Sequence, residues 1–404
     1  MHTAHTLIAG AGILTCAWIA VTAVEARSQT KAAAPLTAGS LPTPSTLPTS
    51  ASVAIAPLDE ALTFARVRSS EGARRALLVL RYAGGSVETI DLSLALGRIV
   101  DDPIAVYRTE GYAALKSLAL RAEPAARVVV PADTLVIPAD LGSHHMAAGT
   151  NYPEHAGEAG VEDGPFLFAK LVQPTAPTSD VSAGKGLLDY EVELAWVTLE
   201  DVRDGKPPKE MGLILCNDYT DRDTLLHHVD VSDIASGKGF TTGKSFPGYL
   251  PVGDLFVIPR DYHEFAEVRE LRLSVNGELR QKSLVSAQVW GIDEMIEEAW
   301  KRRDQRLDHR GESVSLFADG GVIKARTLLM SGTPAGTVFQ NVNTSHKLRG
   351  VAAWVLGGFR APVATSVVDA YVDDPAVRAT YLQPGDRVTI RVDYLGTIDN
   401  EIVP

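Results

Sequence analysis

Two glutamates one residue apart, Glu191 and Glu193 in Asp189 to Val197 (DYEVELAWV), are the first residues of this 404-residue chain whose types and spacing could do chemistry. Alternation along a strand puts Tyr190, Val192, Leu194 and Trp196 on one face and both carboxylates on the other, roughly 6.5 Å apart along the chain. At that spacing they can converge on one cation, and they can equally form the solvated face of an amphipathic strand. The apolar run Met211 to Cys216 leads into NDYTDRD, where Asp218 could deliver a third oxygen ligand or could close the strand as a turn residue. Lys244, between Gly243 and Ser245, reads as a loop residue, either substrate-facing or solvated. In Gly149 to Glu158 (GTNYPEHAGE), Pro153 suits the first turn of a short helix. His155 and Glu158 then lie at i, i+3 on one face, where the carboxylate can orient the imidazole as a general base toward water. The same pair could also be a surface contact without a role.

The elements that must hold these residues read as α+β, mainly β. Composition is that of a globular chain, 45% hydrophobic and 22% charged. Thirty-eight Lys and Arg against 50 Asp and Glu leave a net charge of −12, a field that repels a phosphate backbone and argues against nucleic acid as partner. Residues 7–24 are apolar without a charge and end at Val24-Glu25-Ala26, which reads as a cleaved export signal over residues 1–26 and a periplasmic or secreted protein without stable membrane insertion. A retained anchor at 7–24 is the competing reading. Cys16 goes with the signal, so the mature chain keeps only Cys216 and no internal disulfide. Residues 27–56, rich in Pro, Ser and Thr, read as a tether. Residues 57–141 carry strands at Ala76 to Tyr82 and Arg127 to Val130 and a helix around Ala113 to Ala122, a small α+β domain. From 142 to 404 short strands, Gly and Pro dominate. There Asn276-Gly277 predicts a hairpin turn. Ile292, Met295, Ile296, Ala299 and Trp300 recur at helical spacing and predict a packing helix.

Several of these segments, in this order, resemble the fumarylacetoacetate hydrolase family: NYPEHAGE (151–158), PFLFAK (165–170), DYEVEL (189–194), NDYTDRD (217–223), GKSF (243–246), VNGELRQ (275–281), SGTPAG (331–336), and PGDRVTI followed by LGTIDN near the C-terminus. The resemblance covers about residues 142 to 404 and is weaker over 57 to 141. It implies a catalytic domain of mixed β-sandwich or roll type, usually a homodimer, holding Mg²⁺, Mn²⁺ or Ca²⁺. By the same resemblance Glu191, Glu193 and Asp218 are the metal carboxylates, and His155 with Glu158 is the water-activating dyad. Lys244 is the catalytic lysine, and Arg222 and Thr333 meet the substrate's acid end, with Lys170 as a further contact. The expected activity is metal-dependent hydrolysis of a C–C bond in a small 2,4-dioxo acid or acylpyruvate. Oxo-acid decarboxylation or dienoate isomerisation on the same metal–enolate site is the alternative, and a non-catalytic periplasmic oxo-acid binding protein a more distant one. Three features depart from the family pattern, the first being an export signal on an enzyme class that mostly serves cytoplasmic catabolism. Leu225 stands where many members carry glutamine, and the segment 337–383 is unusually long, a pocket wall or an oligomer contact.

Overall fold

The computed structural model describes residues 52–69, 71–161 and 164–404. The export signal at residues 1–26 and the tether up to residue 51 lie outside the described residues, and no described helix is long and apolar enough to cross a membrane.

The strands and helices that position the site are, in chain order, β1 (Ala61–Arg68), β2 (Arg74–Ala83), β3 (Ser86–Asp91), α1 (Pro103–Arg121), β4 (Arg127–Pro131), β5 (His145–Gly149), α2 (Pro153–Ala159), β6 (Phe166–Lys170), β7 (Val192–Thr198), β8 (Met211–Asn217), α3 (Arg222–His228), α4 (Phe240–Lys244), β9 (Val252–Pro259), β10 (Glu270–Val275), β11 (Glu278–Leu284), α5 (Ile292–Lys301), β12 (Leu328–Met330), α6 (Thr344–Leu356), α7 (Val363–Val372), β13 (Arg387–Val392) and β14 (Gly396–Val403). Among the described residues one ten-stranded sheet runs β4-β3-β2-β1-β9-β8-β7-β12-β5-β6, and a five-stranded sheet runs β11-β10-β13-β14 to the short strand Val181–Ser182. Strands of the 57–141 segment therefore continue the sheet that carries the two glutamates, through the antiparallel pairing of β1 with β9.

Strand alternation explains why both faces of the large sheet are buried. Leu194, Trp196, Leu213 and Leu215 point to one side, where they pack with Leu271, Leu273, Val388, Ile390 and Ile398 of the five-stranded sheet and with Met295 and Ile296 of α5. Ala195, Val197, Ile214 and Cys216 point to the other, against Phe166, Phe168, Ile104 and Leu115. Sheet on sheet with helices outside is the expected α+β, mainly β architecture of sandwich or roll type.

The predicted hairpin is present, with Asn276 and Gly277 at φ 52° and 82°, the left-handed pair that a type I′ turn requires. The predicted packing helix is α5, burying Ile292, Met295, Ile296 and Ala299. The helix expected around 113–122 starts earlier. Asp102 caps the amide of Ala105, Pro103 occupies the first turn, and Gly111 at φ 77° breaks the run before it continues to Arg121. Lys244 is not in an open loop, since it ends the one-turn helix α4 and is buried. The long segment 337–383 folds as α6, α7 and a short turn of helix, Pro375–Arg378. Val368, Tyr371, Val372 and Tyr381 cluster there with Leu187 and with Leu226 of α3.

Candidate metal centre

Antiparallel pairing of β7 with β8 sets Val192 opposite Asn217 and Glu193 opposite Cys216. The backbone N–H of Asp218 donates to the carbonyl of Glu191 at 2.9 Å, and the N–H of Glu191 donates to the Asn217 side-chain oxygen at 2.9 Å. That register brings Glu191, Glu193 and Asp218 together, each offering an oxygen within 4.8 Å of the others, all buried. The solvated acidic face that spacing alone allowed is ruled out by packing, because both sides of β7 are covered.

Three cations enclose the carboxylates. Lys244 Nζ donates to Glu191 Oε2 (2.7 Å), Asp218 Oδ2 (2.8 Å) and the Thr220 hydroxyl (2.7 Å). Lys170 Nζ donates to Asp218 Oδ1 and to the carbonyls of Tyr219 (3.2 Å) and Tyr249 (2.8 Å). With three donors spent at full burial, Lys170 anchors Asp218 in this structure. Arg222 gives Nε to Asp189 Oδ2 (2.9 Å) and Nη2 to Glu191 Oε1 (2.6 Å), so its fork is partly engaged by protein carboxylates. Phe339, from the start of the long segment, lies 5.6 Å from the same guanidinium.

The electrostatics are uneven. Burial works against the charge of Glu191, yet Lys244, Arg222 and His155 hold its carboxyl down at about 2. Glu193 goes the other way. Burial, then Asp218 and Glu191, push it well above the usual carboxylate range, with the Gly332 N–H (3.0 Å to Oε2) as partial relief. Asp189, Glu191, Glu193 and Asp218 against Lys170, Arg222 and Lys244 leave one formal negative charge, which a divalent cation would turn into one positive charge. A buried all-oxygen donor set with one carboxylate under-compensated fits a hard divalent ion of the Mg²⁺, Mn²⁺ or Ca²⁺ kind.

The dyad residues sit close by. Pro153 opens α2 as expected, and the helix tolerates Gly157. His155 Nδ1 is 3.9 Å from Glu158 Oε2 and buried without a hydrogen-bond partner, and that same Glu158 oxygen accepts the Gly336 N–H at 2.9 Å. Burial opposes the Glu158 charge, but His155 and the Gly336 amide keep its carboxyl lowered. The Thr333 hydroxyl donates to the Val192 carbonyl (3.0 Å). Leu225 packs under α4, where a Cβ on Gly243 would lie 2.6 Å from the Leu225 Cβ.

Sequence reasoning passed over three residues that build this site. Asp189 shares the strand phase of Glu191 and Glu193, so D-x-E-x-E was the available signal, and it also accepts the N–H groups of Val338 (2.9 Å) and Phe339 (3.1 Å). Asp221, within the NDYTDRD segment, is the N-cap of α3 and fixes Arg222 in its first turn. Gln281 appeared as the end of a hairpin motif without a role. A separate 480 Å³ cavity, lined by Arg269, Glu270, Arg272, Arg391 and Asp393 among others, contains none of these carboxylates.

A two-sheet α+β fold around a buried carboxylate triad defines a class, that of proteins with an all-oxygen site able to hold a divalent cation. Residues 144–403 match the family described as fumarylacetoacetate (FAA) hydrolase, C-terminal, well over half of the chain, and the protein belongs to that family. It is similar to the oxaloacetate tautomerase YisK of Bacillus subtilis, 26% identical over 273 residues (64% of this chain and 68% of that one). It is also similar to the mitochondrial oxaloacetate tautomerase Fahd2a of Rattus norvegicus, 25% identical over 298 residues (71% and 75%). In fold it resembles the fumarylacetoacetate hydrolase of Exiguobacterium antarcticum, with a TM-score of 0.53 at 18% identity over 85% of this chain and 99% of that one.

Proposed function

We propose that the chain is a divalent-metal-dependent enzyme that hydrolyses the C–C bond of a small 2,4-dioxo acid or acylpyruvate through the enolate of its 2-oxo acid half. The observation that supports this most directly is the pairing of two units through one loop: Gly332 of the 331–336 loop holds metal-site Glu193, and Gly336 of the same loop holds Glu158 beside His155. A bound divalent ion would polarise the 2-oxo group and its carboxylate and steady the enolate charge.

The chain's own residues do the rest. His155 takes a proton from water as the oxygen attacks the distal carbonyl, with Glu158 holding the imidazole. The C–C bond then breaks, its electron pair passing to the carbon next to the 2-oxo group. Return of one proton to that carbon yields two acids, so the atoms of one water are all accounted for. Lys244, the one of the three cations that bridges two triad carboxylates, Glu191 and Asp218, would turn to the developing oxyanion once a metal takes those carboxylates. The edge of the Arg222 guanidinium not engaged by Asp189 and Glu191 would receive a substrate carboxylate.

A second reading is tautomerisation of oxaloacetate. The names of the two curated relatives favour it, and so does Leu225, an apolar residue where a polar contact to a second carbonyl is usual in the family. Incubation of oxaloacetate, acylpyruvates and 2,4-dioxo acids with Mn²⁺-loaded protein, followed by enol absorbance and product mass, separates the two. Two acids from one substrate support hydrolysis, an enol–keto change without mass change supports the second reading, and no turnover of any of them rejects both. For the N-terminus the proposal is export with cleavage after Ala26. Sequencing protein from its native host should begin at Arg27, and an intact Met1 in a membrane fraction would reject it.

A further inference from the structure

Strand β11 lies at the edge of the five-stranded sheet and buries a single side chain, and that side chain is polar, Gln281 at 1% exposure. A buried amide must be hydrogen-bonded to be tolerated, and this one spends both N–H donors and its oxygen on the metal strand and the 331–336 loop. Gln281 Oε1 accepts the Val192 N–H (2.9 Å), while Nε2 donates to the Thr333 hydroxyl (2.9 Å) and to the Pro334 carbonyl (2.7 Å). The Thr333 hydroxyl in turn donates to the Val192 carbonyl (3.0 Å). Val192 lies between Glu191 and Glu193, so the two peptide groups that orient these glutamates are gripped from both sides. The loop is pressed onto the same strand at Gly336, where a Cβ would meet the Arg280 carbonyl at 2.0 Å.

We infer that Gln281 is a positioning residue: it sets the backbone between the two metal glutamates and docks the Thr333 loop against it, so that carboxylates and loop face one bound oxo acid as a unit. An aliphatic residue would fill the volume but leave the Val192 N–H and the Thr333 and Pro334 groups without this partner. The inference deepens the proposed function and rests on its reading of the triad as a metal site.

The test uses full-length protein, Mn²⁺, and oxalate as a planar dianion shaped like an enolised 2-oxo acid. Wild type is titrated first. Failure to bind Mn²⁺ would overturn the metal-site reading and this inference with it. Given binding, Gln281→Met should weaken oxalate binding to the Mn²⁺-saturated protein about 10–100-fold, the usual loss when a group that orients metal ligands is removed. Thr333→Val should act in the same direction, and the double variant should lose no more than about twofold beyond the worse single one, because both cut one connected path. Gln281→Glu, which keeps the acceptor for Val192, reads the same clamp should Gln281→Met not fold. Oxalate affinity within twofold of wild type alongside a lowered Tm would overturn the proposal, since packing alone would then account for Gln281. Losses in the double variant that multiply in full would overturn it as well.

Discussion

At the scale of single residues, the site turns on how one carboxylate differs from its neighbours. Glu191 and Asp218 each meet a lysine, whereas Glu193 has one backbone amide and two like charges beside it. Glu193 is therefore the carboxylate with most to gain from a cation. Glu193→Ala should lose Mn²⁺ binding by at least ~10-fold in calorimetric titration, and metal content equal to wild type would reject the triad. The dyad makes a separate claim. His155→Ala should lower kcat by about 10²–10⁴-fold with Mn²⁺ affinity unchanged, the loss that follows removal of a general base. Near wild-type turnover would make the 3.9 Å His155–Glu158 contact structural.

At the scale of elements, the 331–336 loop and the helices that follow it hold the site together. Gly336 sits at φ 102°, and its N–H and C=O are both taken, by Glu158 and by the Tyr190 hydroxyl (3.1 Å). Gly336→Ala should cost about 1–3 kcal/mol in chemical denaturation through the backbone conformation alone. Activity should fall with it, because the loop must shift away from Arg280. The helices of 337–383 depend on Asp374, which accepts from Arg349 (2.6 Å), the Ala376 amide (2.9 Å) and His346 (3.1 Å). Arg349 first, then that amide and His346, hold its carboxyl down at about 2. Because the folded value lies below the ordinary one, this attachment is complete above about pH 4 and is lost as pH falls through about 2. Pepsin cleavage within 344–372, normalised to a peptide standard, should accelerate as pH drops from 4 to 2, and Asp374→Asn should be cut as readily at pH 4 as wild type is at pH 2.

At the scale of the whole molecule, the packing of the two sheets carries the stability on which the site rests. Leu273 is fully buried between them, in β10 at the register of Ile390. Leu273→Ala should therefore cost about 2–5 kcal/mol by urea denaturation. Mn²⁺ affinity of the folded protein should stay close to wild type, because every side chain that holds the triad in place, Lys170, Lys244, Arg222 and the Gln281 opposite Leu273, is retained. A site that collapsed with this substitution would place the metal carboxylates under the control of the sandwich interface.

The sequence alone carried the chemistry of the acids and the order of the segments. The period-two spacing of Glu191 and Glu193, the Asn276-Gly277 turn, the α5 stripe and Pro153 at the start of α2 all stand in the structure, because each depends on contacts a few residues apart. What only the tertiary structure decided was which charges meet. Asp218 joins the glutamates through the β7–β8 register, and Lys170 turned out to be an anchor because distant carbonyls at Tyr219 and Tyr249 consume its protons. Gln281 acquired a role only when β11 was brought against Val192, 89 residues away in the chain. Hydrogen bonds and ion pairs at such separations are fixed by where whole sheets pack, and local residue patterns hold no record of that distance.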